Sequence, residues 1–115
     1  MQLSASEIAQ LARTAGFAGS DLVTAVAIAL AESSGDPAIV GDLEITRGGS
    51  IGLWQINLRW HPEYSNSKEL LLDPPANAAA AYAIYADADH SFSPWSTYAS
   101  GSYRRFLEVA SEACA

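Results

Sequence analysis

Residues 26–37 read VAIALAESSGDP. Apolar side chains fill positions 26–31 without a polar break, and Glu32 follows just before the turn-forming Ser33-Ser34-Gly35. Upstream, Leu22 and Val23 continue the pattern, with Asp21 in a first turn behind Ser20. The stretch therefore predicts a helix from about Ser20 to Ser33, and a helix with no polar face of any width is buried on most sides. Its end is an unfavourable place for a carboxylate. Unpaired carbonyls give a helix C-terminus partial negative charge. The apolar helix body withholds water, so both effects favour the protonated carboxyl and raise its pKa. A carboxylic acid kept protonated near neutral pH is what a general acid needs, notably one that protonates a glycosidic oxygen. A glutamate on a frayed helix end would have no such role; the surrounding motifs are what single Glu32 out.

Outward from this helix, other elements can be read. "SASE", residues 4–7, fits a capping box in which Ser4 and Glu7 open a helix, with Ile8, Leu11 and Ala12 as its apolar stripe and Gly16 as its stop. After the buried helix, "GDLEITRGGSIGLWQIN" (41–57) turns on "RGGS" and predicts a small hairpin, with strands near 42–46 and 50–56. "NSKELLLDPP" predicts a short helical turn after Ser67. Asp73 then caps a helix through residue 89, with Pro74 at its first position. Gly101 and Ser102 precede a last helix, "YRRFLEVASEA". The expected fold is α+β, mostly helical, with a small β-hairpin inserted after the central buried helix.

A chain of 115 residues with 50% hydrophobic and 17% charged residues suits one compact domain spanning 1–115. A net charge of −7, with six basic residues scattered along the chain, argues against nucleic acid, which needs a concentrated basic surface. No apolar run reaches the roughly 18–20 residues of a membrane span, so no membrane partner is expected. No basic flank with a hydrophobic centre precedes the first helix, so no signal peptide is visible. Cys114 is the single cysteine, and His61 and His90 have no second ligand at metal spacing. Neither a metal nor any other cofactor is expected.

"AESSGDP" (31–37), then "GLWQIN" (52–57), then "DPPAN" (73–77) resembles, in order and spacing, the lytic transglycosylase and goose-type lysozyme superfamily. In that superfamily a buried helix ends in Glu-Ser, a Gly-Leu-Met-Gln-Ile segment lines the cleft, and an Asp-Pro-x-x-Asn sequence starts a helix. Here Glu32-Ser33 and Pro37 correspond to the first, Gly52-Leu53-Trp54-Gln55-Ile56 to the second with Trp54 in place of Met, and Asp73 to Asn77 to the third. The resemblance covers most of the chain from residue 22 onward. "TYASG" (97–101) only faintly echoes the superfamily's Ala-Tyr-Asn-Ala-Gly, and it puts Tyr98 where a tyrosine hydrogen-bonds near the catalytic carboxyl. Tyr82, Tyr85 and Tyr103 remain alternatives for that role.

The resemblance implies a lysozyme-like domain that cleaves the β1,4 bond between N-acetylmuramic acid and N-acetylglucosamine in peptidoglycan glycan strands, with Glu32 as general acid/base. Ser33, Gln55, Asn57 and Tyr98 are the expected substrate-binding residues, the amides meeting hydroxyl and acetamido groups. Trp54, Trp60 and Trp95 are candidate platforms for apolar sugar faces, or core residues. The segment 41–50 adds Asp42 and Glu44. Asp42, beside a glycine at the base of the predicted hairpin, is the candidate second catalytic carboxylate, set against a solvated loop charge. It tilts the expectation slightly towards a hydrolase and away from a lone-glutamate transglycosylase. The rival expectation is a non-catalytic peptidoglycan-binding or virion structural module that keeps the fold. Either would act at the bacterial cell wall, as an extracellular, periplasmic or phage-borne protein, as a monomer or as a domain of a larger chain.

Overall fold

In the computed structural model, which describes residues 2–41, 49–64 and 67–115, helix α1 (Ala5–Ala15) starts as its capping box dictates. The Ser4 hydroxyl accepts from the Glu7 amide at 3.1 Å, and the Glu7 carboxylate accepts from the Ser4 amide at 2.9 Å. Gly16, at φ 129°, ends the helix, in a conformation that a side chain would strain. Helix α2 (Gly19–Ser33) carries the apolar stretch 22–31, and Ala25 to Ala29 are all fully buried.

α2 is central because the other elements pack around it. α1, the short α5 (Ser96–Ser100), a 3-10 helix (Ser102–Phe106) and α6 (Leu107–Cys114) all contact it, and α4 (Pro74–Asp87) packs on α1. α5 has no counterpart among the helices expected from the sequence, and the last α-helix begins at Leu107 after the 3-10 turn instead of at Tyr103. The expected turn after Ser67 is the four-residue α3 (Lys68–Leu71). α4 starts as expected, with Pro74 at its first position and the Asp73 carboxylate accepting from the Ala76 amide at 3.4 Å. Its small side chains, Ala78, Ala80 and Ala81, are buried and allow close approach. The Tyr85 hydroxyl from α4 donates to the Asp21 carboxylate in the first turn of α2, and burial together with that partner pushes its pKa up to about 12.

The sheet departs from the expected hairpin. Three two-residue strands, β1 (Val40–Gly41), β2 (Ser50–Ile51) and β3 (Ile56–Asn57), form an antiparallel sheet in that order. Val40 faces Ile51, and Ser50 faces Asn57. The strand expected at 50–56 is broken in the middle: residues 52–55 form a turn closed by the Gln55 amide on the Gly52 carbonyl at 3.0 Å. Gly52 at φ 75° and Gln55 at φ 47° cannot continue an extended strand, and the break lets Leu53 and Trp54 both enter the core. The other expected strand, 42–46, lies outside the described residues.

Asn77 explains why this turn sits where it does. Its side chain is fully buried near the start of α4. It accepts from the Trp54 amide at 2.9 Å and donates to the carbonyls of Ile51 and Leu71, both at 2.8 Å. The backbone of Gly52 passes so close that a Cβ there would meet the Asn77 amide nitrogen and lie 2.6 Å from the Leu71 carbonyl. One carboxamide thus ties the 52–55 turn to two helical segments, which is the physical content of the "GLWQIN" and "DPPAN" pair. Among the described residues no helix is long and apolar enough to cross a membrane.

Candidate active site

Glu32 is the next-to-last residue of α2, half-buried, as the opening stretch predicts. The backbone beyond it is held firmly. Ser34 takes the left-handed conformation (φ 54°) and its amide caps the Leu30 carbonyl at 2.9 Å. The buried Ser33 hydroxyl donates to the Ala29 carbonyl at 2.9 Å and accepts from the Gly35 amide at 3.2 Å. The Gly35 carbonyl receives the Leu3 amide at 2.8 Å, and a Cβ on Gly35 would stand 2.7 Å from the Leu3 carbonyl. The helix end cannot shift without breaking this set.

Glu32 opens into a cleft of about 160 Å³ walled by Ser50, Gln55, Ile56, Asn57, Trp60, His61, Ile84, Pro94, Trp95 and Ser96. The α2 end, the sheet with its following turn, α4 and the start of α5 each contribute residues to that wall. On the glutamate itself, the Thr97 hydroxyl donates to Oε2 at 2.9 Å. That bond fixes which way the carboxyl points.

Of the residues expected from sequence, the cleft brings together Glu32, Gln55 and Asn57. Gln55 spends its amide nitrogen on backbone, donating to the carbonyls of Ile39 at 3.2 Å and Gly52 at 2.9 Å. Its Oε1 presses on β1, where a Cβ on Gly41 would be only 2.6 Å away. Asn57 Oδ1 accepts from the amides of Arg59 and Trp60 at 3.0 and 3.1 Å, and its Nδ2 donates to the Ser50 hydroxyl at 3.2 Å. Ser33 is turned into the helix end and is not part of the cleft wall. Tyr98 also lies off the wall, its ring stacked on Tyr103 at 5.0 Å. Asp42 and Glu44 lie outside the described residues.

Between Thr97 and Tyr98, the side chain that reaches the glutamate is Thr97, one residue before the tyrosine that the sequence singled out. Helical backbone sends neighbouring side chains in directions about 100° apart, so only one of the pair can face α2. The sequence carried no signal to choose between them beyond the family's preference for tyrosine. His61, which has no second ligand at metal spacing in the sequence, lines the cleft, burial holding its pKa below the ordinary histidine value. The three tryptophans divide clearly. Trp54 is core, Trp95 is buried with one edge in the cleft wall, and Trp60 stands 71% exposed at the cleft, with the Arg59 guanidinium 5.6 Å from its ring centroid.

A mostly helical α+β domain whose buried central helix ends in a carboxyl facing a small antiparallel sheet has the architecture of the lysozyme-like class. Residues 9–97 match the family described as lysozyme like domain, and the chain belongs to that family. No curated protein and no solved structure matches the chain. The matched segment takes in Glu32, the whole cleft wall and Thr97.

Proposed function

We propose that the chain cleaves peptidoglycan glycan strands at the β1,4 bond between N-acetylmuramic acid and N-acetylglucosamine, with Glu32 as general acid/base. One observation carries the reading: a half-buried carboxyl on the last turn of a buried helix, held by a hydroxyl and opening into a polar-walled cleft with an exposed tryptophan. In the first step Glu32 gives its proton to the glycosidic oxygen as the bond to the muramyl anomeric carbon breaks. Trp60 offers its face to a sugar ring, and Asn57 and Ser50 offer amide and hydroxyl groups to the sugar's polar edge. In the hydrolytic course a water adds to the anomeric carbon and its proton passes to a carboxylate. Asp42, which follows β1 in the chain, is the residue we assign to that water. In the transglycosylase course the muramyl 6-hydroxyl adds instead and returns its proton to Glu32. The chain would then work as one domain over 1–115 at the bacterial cell wall.

Glu32→Gln tests the assignment. The swap is nearly isosteric, and loss of general acid catalysis costs about 10²–10⁴-fold in rate. Mass spectrometry of released muropeptides separates the courses: hydrolysis leaves a reducing end, one water heavier than the 1,6-anhydro end of a transglycosylase. A folded Glu32→Gln protein that keeps more than about a tenth of wild-type activity removes Glu32 as the acid.

A further inference from the structure

Two indole N–H groups and one hydroxyl form a hydrogen-bonded circuit that leaves α2 and returns to it. Trp54 Nε1 donates to the Ala25 carbonyl, in the body of α2, at 3.0 Å. The Trp54 carbonyl in turn accepts from Trp95 Nε1 at 2.9 Å. Trp95 is the N-cap residue of α5, and its own amide is bonded to the Phe92 carbonyl at 2.9 Å, so the start of α5 is fixed to the core. Two residues later, the Thr97 hydroxyl closes the circuit on Glu32 Oε2. Both ends ride on constrained backbone, since the α2 terminus is held by Ser33, Ser34 and the Leu3–Gly35 bond. Thr97 is β-branched, which restricts the rotamers its hydroxyl can take.

Resting on the glycan-cleaving reading above, we propose that Thr97, held by the Trp54–Trp95 pair, is the positioning residue for Glu32. Its hydroxyl fixes Oε2 and with it the direction in which the carboxyl faces the cleft. A single acid/base glutamate must be competent both protonated and charged. A hydroxyl donor suits both states, because a carboxyl oxygen accepts a hydrogen bond whether the group is protonated or charged. Donation is stronger to the charged form, so removing the hydroxyl should raise the Glu32 pKa. The other titratable group lining the cleft among the described residues is His61. Of the elements packed on α2, α1 carries Glu7 and Arg13, α5 carries Tyr98, the 3-10 helix carries Tyr103 and the exposed Arg104 and Arg105, and α6 carries Glu108, Glu112 and Cys114.

The test combines Thr97→Val, which keeps the shape and removes the hydroxyl, with Thr97→Ser, which restores it. The Glu32 carboxyl is titrated by carbon NMR in each protein, and kcat and KM on peptidoglycan are followed against pH. The expected result in Thr97→Val is a rise in the Glu32 pKa of about one unit, from loss of a hydrogen bond to a charged group. The kcat should fall about tenfold or more with KM within twofold, and Thr97→Ser should bring both back towards wild type. Should Thr97→Val not fold, Thr97→Ala carries the same comparison. A Glu32 titration unmoved in the hydroxyl-free variant, or moved and not restored by serine, overturns the role of Thr97. The titration needs no turnover, so it decides this point even if the wild-type protein leaves peptidoglycan uncut, an outcome that would sink the glycan-cleaving reading alone.

Discussion

Replacing Asn77 with alanine should damage this protein more than almost any other single polar deletion. The side chain has no solvent exposure, so its hydrogen bonds are not shared with bulk water. Its loss strands three backbone groups at once: the Trp54 amide and the carbonyls of Ile51 and Leu71. Each buried group left unsatisfied costs about 1–3 kcal/mol. Taking the low end, because a water can enter part of the vacated space, the total is about 3–5 kcal/mol. A whole domain has only about 5–15 kcal/mol to lose. At about 4 °C per kcal/mol for a domain of this size, the melting temperature should fall by about 12–20 °C. Thermal melts followed by far-UV circular dichroism measure this directly. A melting temperature within about 4 °C of wild type would refute the reasoning, since it would mean that Asn77 does not hold the 52–55 turn. Asn77→Asp is a useful companion: it keeps the acceptor for the Trp54 amide but sets a buried carboxyl oxygen against the Ile51 and Leu71 carbonyls, so it should be at least as unstable as alanine near neutral pH and recover part of the loss as acid protonates it.

Three further outcomes are expected. The Tyr85 pKa is raised to about 12 in the folded protein. Its contribution to stability is therefore fully present below about pH 10 and lost as the pH rises towards about 12; denaturant melts across that window should show the loss, and Asp21→Asn should reduce it. Gln55→Ala removes the donor to the Ile39 and Gly52 carbonyls, so it should cost about 1–3 kcal/mol in a urea melt; an unchanged midpoint would make Gln55 a substrate contact alone. Trp60→Ala, at an exposed position, should leave stability within about 0.5 kcal/mol while weakening binding of glycan fragments about fivefold to tenfold in a calorimetric titration. Equal affinity in the two proteins would take Trp60 out of the binding surface.

Much of the scaffold could be read from local rules because those features are locally determined. The Ser4–Glu7 box, the Gly16 stop, the Asp73-Pro74 start and the position of Glu32 near the end of α2 all depend on residues within one helical turn of each other. The interruption of 50–56 was hidden for the opposite reason. Alternation in "SIGLWQIN" favours a strand, and what breaks it is Asn77, more than twenty residues away, which draws the backbone inward at Trp54. Side-chain direction in the site was equally non-local. Ser33 carries the same hydroxyl whether it faces a cleft or caps a helix, and only the turn at Ser34-Gly35 decides. The choice of Thr97 over Tyr98 depends on how α5 is rotated, which the Trp95 anchor sets from the other side of the core.

The unequal exposure of the three tryptophans gives the molecule an optical probe of its own cleft. Trp54 and Trp95 are almost sealed from solvent, whereas Trp60 is 71% exposed at the site where substrate would lie. The emission spectrum should therefore be the sum of two blue-shifted components and one red-shifted component. A water-borne quencher such as iodide should act on the red one alone. Any ligand that covers Trp60 should shift that component to the blue and shield it, so occupancy can be followed in unlabelled protein, with Trp54, which does not line the cleft, as a built-in reference for the integrity of the fold.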